Sequence, residues 1–175
     1  MANLPVIERA TRALKAQLET MTLANGYDFD VRHVYRKRDI PERADDPPEI
    51  HLLFGPTTVN TGYSTHQVSE IRKCYAWFIL RDKGDNDEDL YYNQFVANLQ
   101  SCLGESDGED NVSKVIDSSN PLRSYSVGIY QVSHLPRYAE TRKGYVVGRF
   151  EFDYEYIYLQ GDPYKWDTLD AYVSA

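Results

Sequence analysis

Cysteine is scarce in this chain: Cys74 and Cys102 are the only two among 175 residues. Two thiols cannot build the dense disulfide framework of a small secreted domain, so reduced, half-buried thiols are expected. Long apolar runs are missing as well. Nothing approaches the roughly 20 apolar residues of a membrane-spanning helix. The opening, MANLPVIERATRALK, lacks the apolar centre of a signal peptide, which predicts a soluble protein made in the cytosol with no membrane partner. Positive charge is in short supply too, with 19 basic against 27 acidic residues and a net charge of −8. That balance disfavours a reader of nucleic acid, which needs cations to displace counterions from phosphates.

Catalytic and ligand-binding patterns are equally absent. His33, His51, His66 and His134 are scattered without the short-spaced pairs that zinc requires. The acidic runs at 82–89 and 105–110 do not fit a calcium loop, because Asp87 falls where that loop needs glycine if Asp82 is its first ligand. The glycines at 55 and 62 are not followed by Lys-Ser or Lys-Thr, so no phosphate loop forms there. No Gly-x-Ser-x-Gly elbow occurs. Glu151 and Asp153 alternate on one strand face, as charge does on any one-sided sheet. The expectation is a protein that is not an enzyme and carries no cofactor or metal.

What is present is strong periodicity. Ile7, Ala10, Leu14, Leu18 and Met21 step by three or four and predict a helix, with Pro5 in its first turn and Asn25-Gly26 as its stop. Phe29, Val31, His33 and Tyr35 alternate and predict a strand. Residues 36–48 are charged and proline-rich, hence a loop, and 49–54 form a short strand entered through Pro47-Pro48. Residues 55–66, GPTTVNTGYSTH, predict a long exposed loop. In the next strand, 67–81, Tyr75, Trp77 and Ile79 oppose Cys74, Ala76, Phe78 and Leu80, as in a strand covered on both faces. Asn86 caps a second helix whose start is favoured by Asp87, Glu88 and Asp89 and whose apolar side includes Leu90, Tyr91, Phe95, Leu99, Cys102 and Leu103. Residues 104–121 predict a mobile acidic loop, anchored by Val112, Val115 and Ile116. Two strands close the pattern, at 123–134 and 144–159. In the last, Val146, Phe150, Phe152, Tyr154, Tyr156 and Tyr158 share one face and Arg149, Glu151, Asp153 and Glu155 the other.

This order, α-β-β-β-α-β-β, predicts an α+β domain over 1–161, with an antiparallel or mixed central sheet of about five strands packed by two helices. Residues 162–175 are expected to form a C-terminal arm, packed on its own subunit, docked on a neighbour or tail component, or disordered. Gly161-Asp162-Pro163 breaks the strand, and Trp166, Leu169, Tyr172 and Val173 then recur at helical spacing. Fifteen tyrosines are many for this length, and those in loops, Tyr27, Tyr63, Tyr138, Tyr164 and Tyr172, suit a protein interface. Arg32, Arg36, Lys37 and Arg38 are the one concentrated basic cluster, which reads either as a solvated strand end or as a contact with an acidic loop of another subunit.

Several of these features occur together and in order: the helix, the Asn25-Gly26-Tyr27 turn, a strand ending in Arg36, Lys37 and Arg38, and the Pro-led strand at 48–54. The long strand at 68–80, a second helix after an acidic turn, and the Tyr-rich strand ending at Gly161-Asp162-Pro163 complete the series. In that order the chain resembles the tail terminator proteins of long-tailed bacteriophages. The resemblance implies a homohexameric ring at the head–tail junction of the virion, made in the host cytoplasm, which stops tail-tube growth. Its implied partners are the tail tube protein and the head-side connector or stopper and, in contractile tails, the sheath end. DNA would pass through without specific binding. Within such a ring, Arg36, Lys37 and Arg38 are expected to face a neighbour's Asp85, Asp87, Glu88 and Asp89, with Tyr63, Trp166, Leu169 and Tyr172 as further contacts. The alternatives are a monomeric binding or regulatory protein of the same shape, or a phage head-closure protein of the neck.

Overall fold

Helix α1 (Val6–Leu18) follows Pro5, whose extended ψ of 150° leads the chain into the first turn. Glu8 sits at its positive end and Lys15 at its negative end. Val6, Ala10, Leu14 and Leu18 are buried as their spacing requires, while Ile7 packs at the rim of the core. Thr11 is tolerated inside because its hydroxyl donates to the Ile7 carbonyl at 2.7 Å. The described residues of this computed structural model are 4–36, 44–60, 67–81, 88–103, 114–116, 124–126, 129–134 and 144–164.

The helix stops at Leu18, well short of the expected Asn25-Gly26 signal. Its last carbonyls are taken up locally: the Glu19, Thr20 and Met21 amides donate to Lys15, Gln17 and Leu18, the Thr20 hydroxyl also donates to Gln17, and the Asn25 side-chain amide donates to the Thr20 carbonyl just beyond. Met21 leaves the helical path and is fully buried. Gly26, at φ 86°, closes a separate 3-10 turn over Leu23–Asn25.

The strand expected from Phe29 also shortens, to β1 (His33–Tyr35). Phe29 and Val31 are buried, which produces the alternation. The backbone here, however, is tied elsewhere: Val31 N–H donates to Met21 and Arg32 N–H to Pro48. Alternating burial therefore occurs here without a ladder.

The remaining elements are β2 (Glu49–Asn60), β3 (Gln67–Arg81), α2 (Glu88–Leu103), β4 (Lys114–Ile116), β5 (Ser124–Ser126), β6 (Ile129–His134) and β7 (Tyr145–Leu159). Five of the strands form one sheet in the order β1-β2-β3-β7-β6. β1 runs parallel to β2 and every other pair is antiparallel. The predicted class, α+β with a mixed five-stranded sheet and two helices, is what the chain adopts. β4 and β5 add a small second ladder. One of its strands falls in the stretch expected to be a loop, and the other splits off from the single strand expected over 123–134.

Residues 55–60, read from sequence as loop, instead continue β2. The register shifts between Phe54 and Thr57, so Gly55 and Pro56 make a bulge rather than an exit. β3 and β7 pair without interruption from Gln67↔Leu159 to Arg81↔Tyr145. Paired residues share a face, so Phe78, Ala76 and Cys74 align with Gly148, Phe150 and Phe152. Both helices join the core on this face. Phe95 of α2 lies 4.7 Å from the Phe78 ring and 4.9 Å from Phe29. Neither cysteine is in a disulfide, and both are buried in this core.

The other face carries Ile79 and Val147, which close a smaller cluster with Ala44. β3 is therefore covered on two sides at this end, by helices on one and by the chain entering β2 on the other.

Two substitutions test this packing. Leu14→Ala should cost about 2–5 kcal/mol, read as a lower urea midpoint at unchanged slope. At Gly148 an added Cβ would lie 2.2 Å from Phe78 and 2.4 Å from Tyr92. Gly148→Ala should therefore lose about 1–3 kcal/mol through overpacking.

Candidate functional site

On the face opposite α1 and α2, strand pairing sets His51, Trp77 and Arg149 in one row and Leu53, Tyr75 and Glu151 in the next. The Arg149 guanidinium lies 5.4 Å from the ring centres of both Tyr75 and Trp77. Its terminal nitrogen meets Glu151 at 2.5 Å. Arg149 and Glu151 are mostly covered and Tyr75 and Trp77 half-buried. Arginine, tyrosine and tryptophan packed side by side are the residues that dominate protein contact surfaces.

At the top of this face lies a buried polar corner. Glu49 accepts the backbone amides of Asp45 and Asp46 at 3.1 and 3.0 Å, and its other oxygen lies 3.2 Å from His51 Nε2. His51 is completely buried and stacks on Tyr35 with ring centres 5.1 Å apart. The carboxylate thus pins the turn that swings residues 44–48 across the sheet. Burial, and after it the charges of Glu49, Asp45 and Asp46, raise the Tyr35 hydroxyl above the usual tyrosine range.

On the helix face, toward the far end of β3, Glu70 accepts hydrogen bonds from Tyr156 and Tyr158, the latter at 2.7 Å. Arg72, two residues on, lies 4.4 Å over the Phe54 ring. The bond to Glu70, reinforced by burial, pushes Tyr158 up to about 12. Burial and then the same carboxylate raise Tyr156 further. These tyrosines are structural donors, not nucleophiles held near neutrality.

Of the expected interface residues, Arg36 is the one whose side chain is described. It forms a two-pronged pair with Glu8, 2.9 Å to each oxygen, within the same chain. Arg12 reaches Glu8 as well, at 2.8 Å. The Arg36 guanidinium holds the Glu8 carboxyl below its usual range. Lys37, Arg38, Tyr63, Asp85, Asp87, Trp166, Leu169 and Tyr172 lie outside the described residues. Glu88 and Asp89 are placed only as the opening of α2. The arm is described as far as Tyr164: Gly161 takes φ 82°, and Pro163 accepts the Val6 amide at 2.8 Å.

The Tyr75–Trp77–Arg149 group and the Glu49–His51 pair were not singled out as site residues from sequence. The alternation of Tyr75 and Trp77 was visible, but Arg149 joins them only through the β3–β7 register. His51 looked like one more scattered histidine until the turn at 45–46 placed Glu49 beside it.

Among the described residues no group of three or more His, Cys, Asp or Glu side chains is arranged to hold a metal ion. No described helix is long and apolar enough to cross a membrane. Neither the models of known protein families nor the curated proteins give a match to this chain.

Two measurements test these clusters. Glu49→Ala strips two amides and an imidazole nitrogen of their acceptor and should cost about 1–3 kcal/mol for each group left buried and unpaired, measured by denaturation. For Tyr158, the folded pKa lies above the unfolded value near 10. Its contribution to stability is therefore complete below pH 10 and lost as pH rises toward about 12. Tyr158→Phe should flatten that alkaline decline and remove one late-titrating tyrosine from the ultraviolet titration.

Proposed function

We propose that this chain is a structural subunit of a tail terminator: a homohexameric ring that caps the tail tube of a long-tailed bacteriophage and joins it to the head connector. The observation that supports this best is the layering. Both helices cover one face of the sheet, and the other carries a mostly covered arginine against a half-buried tyrosine and tryptophan. A sheet built this way keeps its own core on one side and offers contact chemistry on the other. The order of the longer elements agrees with that of the family it resembles. The chemistry agrees too: the Glu49 and Glu70 clusters hold the turn at 45–46 and the tyrosines of β7 in place.

In a closed ring each subunit uses one surface against a different surface of its neighbour. Arg36 is engaged by Glu8 in its own subunit, so the basic contribution to the neighbour's acidic segment falls to Lys37 and Arg38. The lumen is acidic or neutral, because a passing genome must not be gripped.

Native mass spectrometry should find a species of six times the 20.2 kDa subunit mass, alone or on addition of tail tube protein. A monomer under both conditions overturns the ring. Lys37→Glu combined with Arg38→Glu should weaken assembly, more so at low salt, with the subunit's melting temperature unchanged. Duplex DNA should show no measurable binding near physiological salt, whereas tight, salt-dependent binding would favour a nucleic-acid reader.

A further inference from the structure

We infer that copies of this chain join edge to edge through their sheets, the open half of β2 on one copy receiving β6 of the next. The inference deepens the ring reading and rests on it only for closure. Its basis is where charge is missing. In a chain with 26% charged residues, no Asp, Glu, Lys or Arg occurs between positions 50 and 69, the longest such interval, and none between 124 and 136. The first interval contains the outer part of β2 and the second contains β6, and these lie on opposite sides of the sheet. A third such interval, 90–104, is explained by burial, since Tyr92, Phe95, Leu99 and Cys102 of α2 lie in the core.

Edge strands are normally guarded against pairing by lysine, proline or a bulge. Here β1 pairs only with Glu49, Ile50 and His51, so no described strand covers the outer edge of β2 from Leu52 onward. Pro56 and its bulge guard the middle of the strand. Beyond them Thr57, Thr58 and Val59 are exposed, with Val59 at 51%. They are β-branched, uncharged and unguarded.

Direction and length select the partner. β2 and β7 run one way, β3 and β6 the other. A copy rotated about an axis along the strands therefore sets its β2 antiparallel to β6 of its neighbour. β6 is six residues long, as is the continuation of β2 over 55–60. Pairing β2 with another β2 would leave β6 open in every pair, whereas the head-to-tail join uses both edges. Each copy carries eight net negative charges, so an edge join through β6 and the uncharged outer part of β2 also brings subunits together where repulsion is least.

The test is disulfide trapping in the full chain, keeping Cys74 and Cys102, which are at most 1% exposed. Val59→Cys is mixed with single cysteine variants at each position from 129 to 134, under mild oxidation. Covalent dimers should form in the mixtures at alternate β6 positions and not with Val59→Cys alone. Val59→Lys should raise the protein concentration needed for assembly at least about tenfold without lowering the subunit's melting temperature. Dimers of Val59→Cys alone would show a symmetric β2–β2 contact and overturn the inference. A hexamer by native mass spectrometry that traps at no β6 position, or that tolerates Val59→Lys, overturns the edge join and leaves the ring standing. A monomer throughout overturns both.

Discussion

The pairing of β3 with β7 over fifteen consecutive positions governs the rest of this molecule. Side chains alternate across a strand, so one unbroken register divides thirty residues between two surfaces. One surface receives Phe78, Phe150, Phe152, Tyr154 and Tyr156 and with them both helices. The other receives Trp77, Tyr75, Arg149 and Glu151. A slip of one position would carry the charged set under the helices, which burial of charge forbids. Gly148 belongs to the same arrangement: its missing side chain is the space that Phe78 and Tyr92 occupy.

The parts of the fold governed by long periodic patterns were legible from residues alone. The alternation of Phe150, Phe152, Tyr154 and Tyr156 could only be a strand, and Ala10, Leu14 and Leu18 could only be a helix face. Misreadings arose where composition and backbone pairing part company. Gly55 and Pro56 carry the signature of a turn, yet β3 continues opposite them, so the chain resumes its strand after a bulge. Phe29 and Val31 alternate like a strand because the core takes their side chains, while the Val31 amide bonds Met21 and the Arg32 amide bonds Pro48. α1 ends at Leu18, and the turn beyond it is held by Thr20 and Asn25 side-chain hydrogen bonds that periodicity does not record.

The candidate surfaces were less legible, because each is assembled across strands distant in sequence. Arg149 meets Tyr75 and Trp77 from more than seventy residues away. The basic cluster stood out, but Arg36 turned out to answer Glu8, whose place on the outer side of α1 is set by the apolar stripe opposite. Salt bridges of this kind are decided by the packing of the elements that carry them.

One short contact has a mechanical consequence. The Val6 amide at the start of α1 bonds the Pro163 carbonyl just past β7, so the entry and exit of the described domain are side by side. Tension applied between the segments flanking them would act on that joint by peeling, one bond at a time. The β3–β7 ladder would be loaded in shear only if pulled from opposite ends of the sheet, where all its bonds resist together. In a domain wired this way the joint between Val6 and Pro163 would yield before the long sheet does.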